Sequence, residues 1–90
     1  MIKINQMKTP KVTFMAPNQV IIHTPEGRFF QSYDSIITFI SRSGRVTLDE
    51  KYWDYSRITG KYRNQFLGED KKTTEKKIQS EFYKLDNLNK

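Results

Sequence analysis

Residues Ser35 to Leu48 read SIITFISRSGRVTL, and this stretch decides the architecture. In SIITFI, residues 35–40, β-branched or aromatic side chains fall on both sides of an extended chain, the pattern of a strand covered on both faces at the centre of a sheet. Arg42-Ser43-Gly44-Arg45 then supplies a glycine-containing turn, and Val46-Thr47-Leu48 resumes the β-forming run. Strands over 35–41 and 46–49 are therefore predicted to pair antiparallel.

On the N-terminal side, KVTFM (Lys11 to Met15) alternates and predicts a strand, Pro17-Asn18 marks a turn, and Val20-Ile21-Ile22 predicts the next strand. Pro25-Glu26-Gly27 is a second turn, with glycine free to take a positive φ, and Arg28-Phe29-Phe30 makes a short strand after it. MIKINQMKTP, residues 1–10, has no clear period and reads as a loose lead-in or a marginal first strand.

On the C-terminal side, Lys51 to Ser56 continues as a strand, Thr59-Gly60 breaks the chain, and Lys61 to Leu67 forms a short helix closed by Gly68. Asp70 or Thr73 caps a second helix over DKKTTEKKIQS, which only Ile78 clearly anchors, and Phe82 to Leu85 adds an edge strand. The expected fold is a single α+β domain over residues 1–90, an antiparallel sheet of about four to five strands with one or two short helices.

The chain has 90 residues, of which 36% are hydrophobic, so its core must be thin. It has no cysteine, which excludes disulfide staples and thiolate metal sites. No run approaches the roughly 18 apolar residues of a membrane span, and the expected setting is the cytoplasm with no membrane partner. Net charge is +6, a bias toward polyanionic partners. Residues 1–31 carry four Lys/Arg against one acid, residues 32–70 six against six, and residues 71–90 six against three. The excess lies at the two ends.

Catalytic chemistry finds little to stand on. His23 is the lone histidine, and it has no cysteine or second histidine with which to build a soft-metal site. The carboxylate pairs Asp49-Glu50 and Glu69-Asp70 are neighbours at element ends, where capping and solvation account for them, and the four glycines are scattered singly rather than gathered in a phosphate loop. The expectation is a non-enzymatic protein with no catalytic, cofactor-binding or metal-binding residues and no cofactor.

Binding is better served by KYWDYSRITGKYRNQF, Lys51 to Phe66. As a strand, residues 51–57 would place Lys51, Trp53, Tyr55 and Arg57 on one face, a row suited to stacking bases and holding phosphates if exposed and to filling the core if buried. Burial is favoured, since the lone tryptophan of a thin core is usually inside it, so Trp53 and Tyr55 are expected in the core. Tyr62 and Phe66, at i and i+4, should dock on the sheet and leave Lys61, Asn64 and Gln65 outward with Arg63 at the margin. The candidate partner-binding residues are Arg57, Lys61, Arg63, Asn64 and Lys51. The lysines Lys71, Lys72, Lys76 and Lys77 form a second cluster, read as a solvated helix face.

The residues FQSYDSIITFI, GRVTLD, WDYSRITGKYRNQFLGE and TEKKI, in that order, resemble a small uncharacterised domain of bacteriophage and plasmid proteins of Gram-positive bacteria. Its pattern runs F-x-S-Y, G-x-V-x-L, W-D-Y-S, K-Y-R-N-x-F-L-G-E and a Lys/Glu-rich helix, matched over about Phe30 to Leu88. The chain departs from it at Ile58, where the pattern has threonine, and near Ser80-Glu81, where it has glycine. The resemblance transfers no functional residue. It implies a mobile-element accessory factor, leading to the expectation of an inhibitor that binds a host nucleic-acid-targeting defence nuclease, anti-CRISPR-like, or that nuclease's nucleic-acid complex. The alternative is a basic nucleic-acid-binding accessory protein; the oligomeric state stays open.

Overall fold

The computed structural model describes residues 11–90, so the lead-in expected over residues 1–10 lies outside the described residues. Six strands form one sheet in chain order: β1 (Lys11–Ala16), β2 (Gln19–Thr24), β3 (Gly27–Ser32), β4 (Ser35–Ser41), β5 (Val46–Asp49) and β6 (Lys84–Asp86). Two helices, α1 (Arg57–Leu67) and α2 (Lys71–Gln79), lie between β5 and β6. The fold is α+β, with one strand more than the upper expected count. β1 to β5 form an antiparallel meander, whereas β6 joins β5 in parallel, Leu85 beside Leu48. The two helices carry the chain back to the starting end of β5, which is what a parallel neighbour requires.

The turns keep the meander tight. Asn18 follows Pro17 with φ 65° and its carbonyl accepts from the Tyr33 N–H at 2.7 Å, tying the β1–β2 turn to the β3–β4 turn. At Gly27, φ is 150°, and a Cβ would collide with the Ile40 carbonyl oxygen on β4. Glycine is therefore required there by close approach of the neighbouring strand.

Register sorts the side chains. One row runs Thr13, Ile21, Phe30, Thr38 and Leu48 across β1 to β5, and the next runs Val12, Ile22, Phe29, Phe39 and Thr47 on the opposite face. Pairing shifts between Phe30 and Gln31, so Ile37 is an extra residue opposite Phe30, and both Ile37 and Thr38 are fully buried. This β-bulge turns two consecutive side chains of β4 toward the helix-covered face. The expectation that SIITFI is covered on both sides is thereby corrected: its central residues are buried together on one face, and Ile36 and Phe39 on the other are half-buried.

The core sits between the sheet and α1. Phe30, Ile37 and Phe66 form its centre, with Met15, Ile21, Ile40, Tyr52, Tyr62 and Leu67 around them. The rings of Phe30 and Phe66 stack at 5.7 Å, and the hydroxyls of Ser32 and Thr59 bond at 2.8 Å where the helix crosses β3. A buried contact of that kind contributes about 1 kcal/mol net and costs more if only one partner is removed.

Residues 51–56 do not form the expected strand. Asp49, itself buried, accepts from the N–H groups of Lys51 at 3.0 Å and Tyr52 at 2.8 Å through Oδ2, and its carbonyl accepts from the Trp53 N–H. These local bonds coil the chain into turns before it can pair. The Oδ1 of Asp49 accepts from the Leu88 N–H at 2.8 Å, and the Asn89 side chain brackets the Ile36 N–H and carbonyl, so the C-terminal segment completes the same corner.

Helix α1 also begins earlier than expected. Ser56 is its N-cap, its hydroxyl oxygen accepting from the Thr59 N–H, so Thr59 and Gly60 lie inside the helix rather than breaking the chain. Gly68, at φ 71°, ends it in the left-handed conformation, as its position after Leu67 predicts. Asp70 caps α2, one of the two expected candidates. This helix is held by more than Ile78. Buried Thr74 donates to Glu69, which also accepts from Lys77 at 2.7 Å and from the hydroxyl of buried Tyr83 at 2.9 Å. Among the described residues no helix is long and apolar enough to cross a membrane.

Candidate functional site

Beside α1 lies a depression of about 730 Å³. Its long wall is a stripe of α1, Arg57, Lys61, Asn64 and Gln65, which the helical period places at i, i+4, i+7 and i+8. The facing wall is Asp54 with Lys71, joined by an ion pair of 2.7 Å. Four of the five residues singled out from the sequence, Arg57, Lys61, Arg63 and Asn64, therefore share one site. Lys51 does not line it; that side chain is exposed and its ammonium lies 5.6 Å from the centre of the Tyr52 ring.

Arg63 has a different role from the one expected of a marginal surface residue. It is 1% exposed, the largest fully buried side chain among the described residues. Its Nη1 donates to the Trp53 carbonyl at 2.7 Å and to Asp54 at 3.3 Å, and its Nη2 donates to the Asn64 side chain at 2.9 Å. The guanidinium carbon stands 5.1 Å from the centre of the Trp53 ring. Arginine's planar fork alone allows three acceptors and a ring to be met at once. Arg63 thus forms the floor of the depression and fixes Asn64 and Asp54 on its walls, while Arg57 and Lys61 on the stripe and Lys71 opposite are the cations that reach solvent.

The aromatic row expected at 51–57 is dispersed with the loss of its strand. Trp53 is half-buried over Arg63, and Tyr55 is 64% exposed, contrary to its expected place in the core. The Tyr55 ring meets the edge of Tyr52 at 5.6 Å. Ile58 is 50% exposed on the other side of Arg57. An aromatic and an aliphatic side chain, missed as surface features, are thus exposed within two residues of Arg57 in the chain; exposed aromatics next to capping serines carry no periodic signal that would reveal them.

The electrostatics of the site depend on where the carboxylates go. Burial raises the pKa of Asp49, but the N–H groups of Leu88 and Tyr52 and the Asn89 side chain outweigh it and leave the carboxyl below its usual value. Burial likewise raises Glu69, and hydrogen bonds from Lys77, Thr74 and Tyr83 bring it below the usual value. Asp70 is lowered by the Thr73 N–H at the cap of α2. Lys71 is raised by its hydrogen bond to Asp54 and is held charged. Three of the six carboxylates of the neutral middle segment, Asp49, Glu69 and Asp70, are thus engaged inside the fold or at a helix cap. The depression is left with cations around one carboxylate that is already paired.

Such a surface can hold anionic groups by ion pairs and by the carboxamides of Asn64 and Gln65. Among the described residues, no group of three or more His, Cys, Asp or Glu side chains could hold a metal ion. His23 lies away from the depression, its Nε2 bonded to the Thr13 hydroxyl at 3.1 Å.

A small α+β domain with a cationic depression is the class of protein that fold and site define. The chain belongs to a family of unknown function (DUF8033), whose model matches residues 2–83. No curated protein and no solved structure matches it.

Proposed function

We propose that this protein is a non-enzymatic binding module that takes nucleic acid along the depression beside α1, as an accessory factor of a phage or plasmid. The observation that supports this reading is the convergence of Arg57, Lys61 and Lys71 with two carboxamides on one concave surface whose carboxylate is already paired. Phosphates would lie against the stripe, and Tyr55, one residue before the Ser56 cap, offers an exposed ring on which an unpaired base can stack. Single-stranded nucleic acid fits better than duplex, since a duplex leaves no base free for that ring.

The test is fluorescence anisotropy with a labelled single-stranded oligonucleotide in a salt series. Affinity should fall steeply with salt, and Arg57→Ala or Lys61→Ala should each lower the log–log slope by about 0.7. Tyr55→Ala should weaken binding with the slope unchanged. Equal affinity in all three variants would sink the reading.

A second reading, inhibition of a host defence nuclease by direct contact, draws on Tyr55 and Ile58 exposed on either side of Arg57, since tyrosine and arginine dominate protein interfaces. A chain of net charge +6 would meet an acidic surface of the nuclease or the nucleic acid it carries. A purified nuclease retained after removal of nucleic acid and released by Ile58→Glu would favour this reading over the first.

A further inference from the structure

Asp54 is the one carboxylate on the wall of the depression, and the cations Arg57, Lys61, Arg63 and Lys71 line the same surface. It stands between two of them. Its Oδ2 pairs with Nζ of Lys71 at 2.7 Å, and its Oδ1 accepts from Nη1 of Arg63 at 3.3 Å. A carboxylate that gives one oxygen to each cation takes the position that two oxygens of a phosphate group would take, because carboxylate and phosphate satisfy the same donors.

Asp54 is held loosely and Arg63 firmly. The Asp54 side chain is 36% exposed, its bond to Arg63 is long, and Lys71 also reaches solvent, where an ion pair contributes little. Arg63 keeps its place without Asp54, through the Trp53 carbonyl at 2.7 Å and the Asn64 side chain at 2.9 Å. The carboxylate can therefore leave while the floor stays. Arginine has more N–H donors than the three acceptors Arg63 meets, and its Nε finds none among the described residues. Gly60 lines the depression too, and a Cβ there would stand 3.6 Å from Nη2 and 3.7 Å from Nη1, so α1 adds no side chain on that side of the guanidinium.

We propose, building on the reading of the depression as a nucleic-acid surface, that Asp54 fills a phosphate subsite between Lys71 and Arg63 in the free protein, and that one phosphate of the bound strand takes its place. At Lys71 one anion leaves and another arrives. The displaced carboxylate gathers a counterion from solution while the phosphate gives one up, so Lys71 adds nothing to the salt dependence of the wild-type chain. Asp54 also stays near the strand and repels its phosphates. It sets the affinity of the depression below what the four cations would give alone.

Anisotropy of a labelled single-stranded oligonucleotide with the full chain, in a salt series, tests this. Asp54→Asn keeps the shape and removes the charge; at low salt it should bind roughly 5-fold more tightly or better. Its log–log slope should be steeper by about 0.7, because Lys71 is released to neutralise a phosphate. Lys71→Ala should leave the wild-type slope unchanged and return the Asp54→Asn slope to the wild-type value. Asp54→Asn equal to wild type in affinity and slope would overturn the proposal and leave Asp54 a tie between the loop and α2, and weaker binding by Asp54→Asn would overturn it as well. So would a wild-type slope that Lys71→Ala lowers by about 0.7, a result that does not depend on how the asparagine variant folds. If Arg57→Ala and Lys61→Ala leave wild-type binding as it is, the reading of the depression fails and the subsite with it. If those two weaken binding and Asp54→Asn does not strengthen it, the subsite alone fails.

Discussion

The guanidinium of Arg63 donates to the backbone carbonyl of Trp53 at 2.7 Å and lies under the Trp53 ring, with 5.1 Å from its carbon to the ring centre. Ten residues separate the two in the chain, and between them lie the turns after β5 and the first turns of α1. The pair closes that loop and sets the floor of the cationic depression. The most basic-looking stretch of the sequence therefore divides its arginines: Arg63 is held inside the fold and Arg57 faces solvent.

Removing the inner arginine should cost the fold, not only binding. Arg63→Ala strands the Trp53 carbonyl and the Asn64 side chain and removes the packing beneath the Trp53 ring, at about 3 kcal/mol or more in all. That is a large part of the stability of a domain this size and should lower the melting temperature by about 12 °C or more. Arg63→Lys should recover only part, because an ammonium cannot reach both acceptors and cover the ring. Arg57→Ala should leave the melting temperature within about 2 °C, being exposed. Equal melting temperatures for Arg63→Ala and Arg57→Ala would contradict the division of roles.

Two glycines should answer oppositely to alanine. At Gly60, inside α1, an added Cβ would rest 3.6 Å from Nη2 of Arg63, an ordinary contact, and alanine should stabilise the helix by about 0.5–1 kcal/mol. At Gly27 the Cβ would collide with the Ile40 carbonyl oxygen, and alanine should destabilise by about 2 kcal/mol or more. Urea unfolding of the two variants checks both signs.

How far the fold could be read in advance depended on whether each signal was local. The hairpin of β4 and β5 was legible because period-two alternation and a glycine turn lie within a few residues of each other. The bulge at Ile37 was not, since nothing in SIITFI distinguishes an extra residue from an alternating one. Alternating aromatics at 51–56 read as a strand, but the carboxylate of Asp49 captures the next two N–H groups and wins. Thr59-Gly60 read as a break on propensity; the Ser56 cap and the Ser32–Thr59 bond supply tertiary support that propensity omits. The candidate site was legible as residue types at helical spacing. Its charge was not, because the neutral count over 32–70 conceals carboxylates folded inward.

Glu81 has φ 65°, a left-handed conformation just past the end of α2 that glycine takes without steric cost. Glu81→Gly should relieve the crowding of its Cβ and stabilise the chain by about 1 kcal/mol. A shift of the melting temperature upward by about 4–8 °C would match that gain, and no shift or a downward one would contradict it.

Stability should fall on the acid side. Asp49 and Glu69 have folded pKa values below their ordinary 3.8 and 4.5. A carboxyl lowered by folding contributes fully above its unfolded value and loses that contribution as pH falls through its folded one. Melting temperature should accordingly hold steady from neutral pH down to about 5 and decline as pH falls below about 4. Glu69→Gln should flatten part of that decline while lowering stability at neutral pH, because its amide cannot accept from Thr74, Lys77 and Tyr83 together.

If the depression beside α1 is the contact surface, backbone-amide chemical shifts will locate it during titration with a single-stranded oligonucleotide. Shifts should gather over residues 54–65 and at Lys71 and diminish in Lys61→Ala. Shifts gathered instead on the opposite sheet face around Phe29 and Phe39, or none at saturating oligonucleotide, would contradict it.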